Sequence, residues 1–413
     1  MASGVDEAIW TERTTRGVSP WNLIILGAVT MLGPLSIDLY LPSFPELARE
    51  LQASESAVQL TLTACVIGLA AGQLIAGPLS DAFGRKGPIL FGTIGWSIAS
   101  LICALAPSIT TLTLLRLAQG LAGAAGVVVA RAVIRDLATG EQLTRAFARL
   151  MLVIGVVPIL APTMGGLLLR VTSWRGVFVV LAVLGTLIAV STALTLRESL
   201  PREARDRSGV RGTIAGYGYL LRDRTFVAAA LVLAFTFASL FIYVGTSSFV
   251  LRDVFELSPT AYGFLFGANS VALIGGSQLS PWLSVRMPAR TLITGSVLLA
   301  VASAAALLVF GAAGVGGLAG VAVPLWLMVL AVGISMPVAT TRAMSRHPER
   351  AGTASALLGV LQMGTGALII PLVGLFGSTS VIPLGVALVL SLLVALAIHV
   401  GSAQRAMPVP AAA

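Results

Sequence analysis

Gly77-Pro78-Leu79-Ser80-Asp81-Ala82-Phe83-Gly84-Arg85-Lys86 is the stretch on which the reading of this chain turns. It joins two long apolar runs, 58–78 and 88–107, and packs an acid, two bases and two glycines between them. Gly77 permits close helix approach and Gly84 a tight turn, while Asp81, Arg85 and Lys86 offer ion pairs. A charged turn between two apolar runs is what a chain needs when it crosses a bilayer and comes back. Each crossing takes about 20 apolar residues to cover about 30 Å of hydrocarbon.

Outward from this turn the pattern repeats. Twelve apolar runs are present: 21–41, 58–78, 88–107, 112–132, 145–170, 176–196, 225–246, 260–282, 290–311, 319–341, 352–375 and 380–401. They are continuous rather than alternating, which predicts helices and excludes an outer-membrane barrel. Composition agrees. The 413 residues are 57% apolar and 10% charged, against about 25% charged in a soluble domain. Mean hydropathy is +0.96. Lipid must be the main solvent, and the fold class is an all-α polytopic membrane protein.

The net charge of +9 reads as topology rather than as nucleic-acid binding. With the N-terminus in the cytoplasm, Arg49, Arg170, Arg175 and Arg252 fall outside and Arg116 within a span, and the rest of the 26 Lys and Arg residues fall inside. That asymmetry is the positive-inside rule, and it predicts cytoplasmic N- and C-termini. The first twenty residues are charged and lack an apolar core, so they do not read as a signal peptide. Cys65 and Cys103 sit within spans and read as reduced packing residues.

One loop is long. Residues 197–224 are charged and follow the sixth run, dividing the chain into a tail (1–20), six spans (21–196), a central cytoplasmic loop (197–224), six spans (225–401) and a second tail (402–413). Transporters made of two parallel six-helix repeats have this layout. A weak echo supports it: Gly77-Pro78-Leu79-Ser80-Asp81 closes the second run, and Ser280-Pro281-Trp282-Leu283-Ser284 closes the eighth.

Asp38 and Arg116 are the two formal charges that this reading leaves inside the apolar runs, every other one falling in a loop, a tail or the edge of a run. An ionisable group costs roughly 2.5–3.5 kcal/mol in a span and is a functional candidate by default. Asp38 is 17 residues into an outward-running helix and Arg116 about four into an inward-running one. Both are then expected a few ångströms below the outer face, where they could pair. Burial favours the neutral form of a carboxyl and a nearby arginine its ionised form, so Asp38 could exchange a proton while Arg116 stays charged. Tyr40, Gln59, Thr63, Gln119, Asn269 and Gln362 are further polar candidates for a substrate cavity. Phe235, Phe237, Phe241 and Tyr243 offer an aromatic wall. Spans seven to eleven hold no formal charge, so the second half is expected to give shape and apolar contact.

The 77–86 segment resembles the signature G-x-L-(S/A)-D-x-x-G-R-(K/R) of the major facilitator superfamily, in the loop between spans two and three. The resemblance implies that Gly77, Asp81, Gly84, Arg85 and Lys86 form a cytoplasmic gate. In it Asp81 would contact the second half and Arg85 would pair with Asp136 at the end of span four. Gly155, Pro158, Pro162, Gly165 and Gly166, in the GVVPILAPTMGG of span five, are similar to the motif of the superfamily's drug antiporters. Arg116 with Gly120 is similar to its R-x-x-x-G. The stretches 35–45, Arg197-Glu198-Ser199-Leu200-Pro201 and 347–356 resemble the Bcr/CflA group, the bicyclomycin-resistance and chloramphenicol/florfenicol exporters. The resemblance covers essentially the whole chain. It implies a major facilitator fold of 12 transmembrane helices in two six-helix bundles, in the bacterial inner membrane, working as a monomer. It also implies export of small amphiphilic antibiotics in exchange for protons, with Asp38 matching a drug- and proton-responsive acid. The proton-motive force would be the only drive, with no cofactor and no metal.

Rivals are weaker. A proton-coupled importer of a small metabolite would use the same fold, and the span-five motif disfavours it. An intramembrane enzyme would need a catalytic constellation at depth, and His347 and His399 are both away from mid-span. An ATP-driven pump would need a phosphate loop, which the sequence lacks.

Overall fold

The computed structural model describes residues 19–138, 140–201, 205, 218–344, 351–377 and 380–404. The two tails, most of the central loop and His347-Pro348-Glu349-Arg350 lie outside them. Twelve long helices run through the described residues: α1 (Pro20–Asp38), α2 (Glu55–Phe83), α3 (Lys86–Ala104), α4 (Ile109–Leu137), α5 (Gly140–Leu168) and α6 (Trp174–Thr195), then α7 (Arg224–Phe249), α8 (Pro259–Ser284), α9 (Ala289–Ala313), α10 (Gly317–Met344), α11 (Ala351–Gly374) and α12 (Ile382–Gln404). Ten helical segments among the described residues are long and apolar enough to cross a membrane.

The helix starts follow from local chemistry. Ser19, Ser108, Asp223 and Ser258 each accept a hydrogen bond from a first-turn N–H, and Pro20 and Pro259 occupy first positions, where a missing N–H costs nothing. At the far end of α9, Gly314 takes the left-handed conformation that closes a helix.

Three boundaries differ from the apolar runs. After α1 the chain continues helically beyond the end of the apolar run. A 3-10 turn over Leu41–Ser43 and a short helix over Phe44–Glu50 continue it, making one 31-residue span to Glu50. Pro42 and Pro45 stand at first helical positions, where proline is tolerated. At the inner side α2 runs helically through Gly77 to Phe83 and α4 on to Leu137. The 77–86 segment is therefore mostly helix, and only Gly84, with φ +94°, and Arg85 make the turn. Arg131 also lies within α4, exposed, so it joins Asp38 and Arg116 as a charge inside a long apolar helix.

The described residues fall into two compact units, one within 1–52 and 64–210, the other within 53–63 and 211–413. The first turns of α2 are thus grouped with the second unit: Ser56 Oγ donates to the Pro371 carbonyl at 2.9 Å and Thr63 Oγ1 to that of Ala367 at 2.8 Å. Within the first unit α3 packs on α4 and α6, and α1 on α4 and α5; in the second, α9 packs on α10 and α12, and α7 on α10 and α11. These are the same pairs six helices later. The turn echo only hinted at a repeat, and the packing carries it.

Reciprocal glycine contacts make the likeness sharper. Gly68 lies against the Leu117 carbonyl and Gly120 against that of Cys65, so α2 and α4 cross backbone to backbone. Gly276 lies against the Leu330 carbonyl and Gly333 against that of Leu273, which is the same crossing between α8 and α10. Small residues permit this approach, and in lipid such packing supplies much of the association energy. Gly276→Ala should therefore lower the melting temperature of the purified protein, overpacking costing about 1–3 kcal/mol. Gly275→Ala, whose Cβ would meet open space, should leave it unchanged or raise it.

Candidate functional site

The first unit encloses a buried cation. Arg116, 0% exposed, sits on the same face of α4 as Gln119 and Gly120. One guanidinium nitrogen donates to Gln119 Oε1 at 2.5 Å and another to the Ser36 carbonyl at 2.7 Å. The α1 helix ends at Asp38, so the carbonyls of its last turn lack helical partners. Arg116 caps that end, where a positive charge also meets the negative pole of the helix. Its plane lies 4.8 Å from the Tyr40 ring and 5.6 Å from the Phe178 ring, distances at which cation–π attraction adds about 0.5–2 kcal/mol.

The network continues away from the charge. Gln119 Nε2 donates to Ser100 Oγ at 2.6 Å, and Ser100 Oγ to the Trp96 carbonyl at 2.7 Å. Trp96 Nε1 returns to Ser36 Oγ at 2.7 Å. The loop so closed links α1, α3 and α4, with the Tyr40 and Phe178 rings beside it, tilted at 49° with centroids 5.1 Å apart.

Asp38 does not join it. The residue is 7% exposed, yet among the described residues its carboxylate has no hydrogen-bond or ion-pair partner. The expected Asp38–Arg116 pair is absent from this structure, and the reason is angular. Successive helical residues turn by about 100°, so Asp38 points roughly 200° away from Ser36, which faces Arg116. Depth also changes. With the span running on to Glu50, Asp38 lies about 18 Å from its outer end, and Arg116 lies about 11 Å into α4. Both lie farther from the ends of their helices than the apolar runs implied.

The antiporter-like residues Gly155, Pro158, Pro162, Gly165 and Gly166 all lie in α5, the two prolines inside it. Gly165 presses against the Leu39 carbonyl and the Pro42 ring, at the break that directly follows Asp38. A side chain there would collide with the α1 backbone.

Other candidates separate into groups. Tyr40 and Gln119 belong to the Arg116 network. Gln59, 0% exposed, lies against Gly374 in the second unit, and the Thr63 hydroxyl is spent on the Ala367 carbonyl. Tyr243 Oη accepts from Asn269 Nδ2 at 3.0 Å. The Phe235 carbonyl takes Ser391 Oγ at 2.8 Å. The Phe237 and Phe241 rings meet at a tilt of 40° with centroids 5.1 Å apart, and Phe241 lies against Gly366. Gln362 is partly exposed on α11.

At the other end of the first unit the 77–86 turn is tied down on every side. Arg85, 5% exposed, donates from Nε to Asp136 Oδ2 at 2.9 Å and from one guanidinium nitrogen to Ser80 Oγ at 2.8 Å and Asp81 Oδ1 at 2.5 Å. Burial works against its charge, and the hydrogen bonds and fields of Asp136 and Asp81 outweigh this, holding the guanidinium above its usual range. Lys86 Nζ reaches the Ala193 carbonyl at the end of α6 at 2.8 Å.

Two residues outside the quoted gate complete it. Glu198 accepts the backbone N–H groups of Arg85 at 2.7 Å, Lys86 at 3.2 Å and Leu200 at 3.0 Å, so its carboxylate holds the start of α3. Ser199 Oγ donates to Asp136 Oδ2 at 3.0 Å. The sequence signal was the Arg197-Glu198-Ser199-Leu200-Pro201 run, which marked family and not geometry. Glu198→Ala should destabilise the purified protein by about 0.5–2 kcal/mol, the value of a lost helix cap. Thermal melting in detergent measures this. Exposed Arg197→Ala is the control that should not move it.

The comparisons with known proteins now have a geometry to meet. The model of the Major Facilitator Superfamily matches residues 26–371, so the chain belongs to that family of transporters and is not an enzyme. It is 41% identical to the MFS-type transporter YdgK of Bacillus subtilis, over 87% of this chain and 90% of that protein. It is 31% identical to a bicyclomycin resistance protein homolog of Haemophilus influenzae, over 84% and 87%. Among solved structures, a bacterial homolog of the human lysosomal transporter Spinster superposes with a TM-score of 0.75 at 18% identity, covering 94% of this chain and 98% of that one. The protein is a multi-pass membrane transporter of this superfamily.

Proposed function

We propose that this transporter exports small amphiphilic antibiotics, phenicols among them, in exchange for protons. It does so as a monomer by alternating access in the bacterial inner membrane, with both termini cytoplasmic. The observation that carries this reading is the unequal state of the two deep charges. Arg116 is fully buried and bound by three helices' worth of partners, while Asp38 is buried without any. A carboxyl in that position holds a proton when closed off and yields it when water or a cationic or polar drug reaches it. Arg116 keeps its charge and its place throughout. Gly165, against the α1 backbone one residue beyond Asp38, couples movement of α5 to the surroundings of the acid.

The bicyclomycin-resistance relative favours export, and the span-five motif points the same way. Import of a small metabolite on the same fold is the second reading. The two differ in one assay: cells carrying the gene should accumulate less labelled chloramphenicol than cells without it, and more accumulation would favour import.

Asp38→Asn should insert normally and lose pH-driven drug transport in inverted vesicles by about two orders of magnitude, as removal of an essential proton-transfer group does. Residual exchange down a drug gradient should persist. Transport at the wild-type rate under the same pH gradient would remove Asp38 from the coupling.

A further inference from the structure

The second unit holds a buried polar cluster that proton coupling does not use. Tyr262, Phe266 and Asn269 stand at i, i+4 and i+7 on α8 and form one stripe. Opposite them on α7 are Tyr243, Thr246 and Ser247. The Tyr262 and Ser247 hydroxyls are 3.1 Å apart. Phe266 stacks on Tyr243 with ring centroids at 5.2 Å and planes at 22°. Above that stack, Asn269 Nδ2 donates to Tyr243 Oη at 3.0 Å.

The cluster is buried and incompletely paired. Asn269 is 1% exposed, and its Oδ1 has no partner among the described residues. Thr246, within one turn of Tyr243, is 2% exposed and its hydroxyl is likewise open. Turning the amide over exchanges its two ends and still leaves one of them unmet. Buried polar groups are nearly always hydrogen-bonded, and an open one needs an explanation. Packing supplies none here, because the Tyr243–Phe266 stack locks the amide by its other end.

Resting on the export reading above, we propose that the open end of the Asn269 amide is a substrate subsite for an amide or hydroxyl group of an amphiphilic compound, with the Thr246 hydroxyl, three residues on from Tyr243 along α7, as a second polar group of the cluster. The two groups can each donate or accept, so the subsite takes a neutral polar group of either kind. The subsite would add a polar contact to the shape and apolar contact expected of the second half. The first unit holds the proton site, and the second reads the polar group of the cargo. A site built to hydrogen-bond its ligand rejects an analogue that cannot do so, because its own buried groups then stay unpaired.

Two probes separate the possibilities. Chloramphenicol carries an amide and two hydroxyls, and tetraphenylphosphonium carries neither. In proteoliposomes of the full chain, Asn269→Leu should raise the half-saturating chloramphenicol concentration by about tenfold or more and that of tetraphenylphosphonium by less than about twofold. Equal loss for both, or loss for neither, overturns the proposal. Melting of the drug-free protein is the second readout. Thr246→Val should not lower the melting temperature, since it removes a hydroxyl that has no partner among the described residues. A clear fall assigns the cluster a structural role and overturns the proposal as well. If the wild type moves neither compound, the export reading fails on these cargoes, and the melting comparison still judges the cluster.

Discussion

A guanidinium has to be kept in hydrocarbon with no acid beside it, and half of this molecule is arranged around that need. Removing a charge from water costs several kcal/mol, and the cost is met only by good geometry and full hydrogen bonding. Arg116 meets much of it with neutral groups, the freed carbonyl of Ser36, the Gln119 amide and the faces of Tyr40 and Phe178, while its Nε has no hydrogen-bond partner among the described residues. Charge-assisted bonds of this kind are about twice as strong as neutral ones. Because the partners come from α1, α4 and α6, holding the charge also fixes how those helices stand together. The consequence for Asp38 is direct. Since α1 offers Ser36 to the arginine, the acid two residues on faces another way and stays unpaired.

Much of this was written in the sequence, and the failures have physical causes. The helices were legible because lipid demands continuous apolar runs, and the turn at 77–86 was legible because a charged turn must break them. Boundaries slipped where helix and hydrocarbon have different ends: α2 carries Asp81 and α4 carries Arg135 and Asp136 in helical conformation beyond the apolar run. The continuation of α1 past Pro42 was hidden because proline reads as a stop and here begins a new turn. The Asp38–Arg116 pair was expected from depth alone, and depth along a helix carries no information about azimuth. Residue types sufficed to find Asn269 and Tyr243, while their contact had to be seen. Glu198 shows the same limit, since nothing in a sequence says that a carboxylate will find three backbone N–H groups across a turn.

The two units are built alike and used differently. The α2–α4 crossing and the α8–α10 crossing rest on the same reciprocal glycine contacts, so the scaffold is a repeat. On it, the first unit carries the deep charges and the tethered cytoplasmic turn, and the second carries a neutral polar cluster. Such a division lets one half answer to protons and the other to cargo, with the shared scaffold keeping both at comparable places in their own bundles.

The central claim is that Asp38 holds the proton that leaves when drug arrives. Drug added to purified protein in weakly buffered detergent solution, with a pH-sensitive dye, tests it most directly. The wild type should release protons in proportion to the drug bound, and Asp38→Asn should bind drug and release none. Equal release from the two proteins would contradict the account.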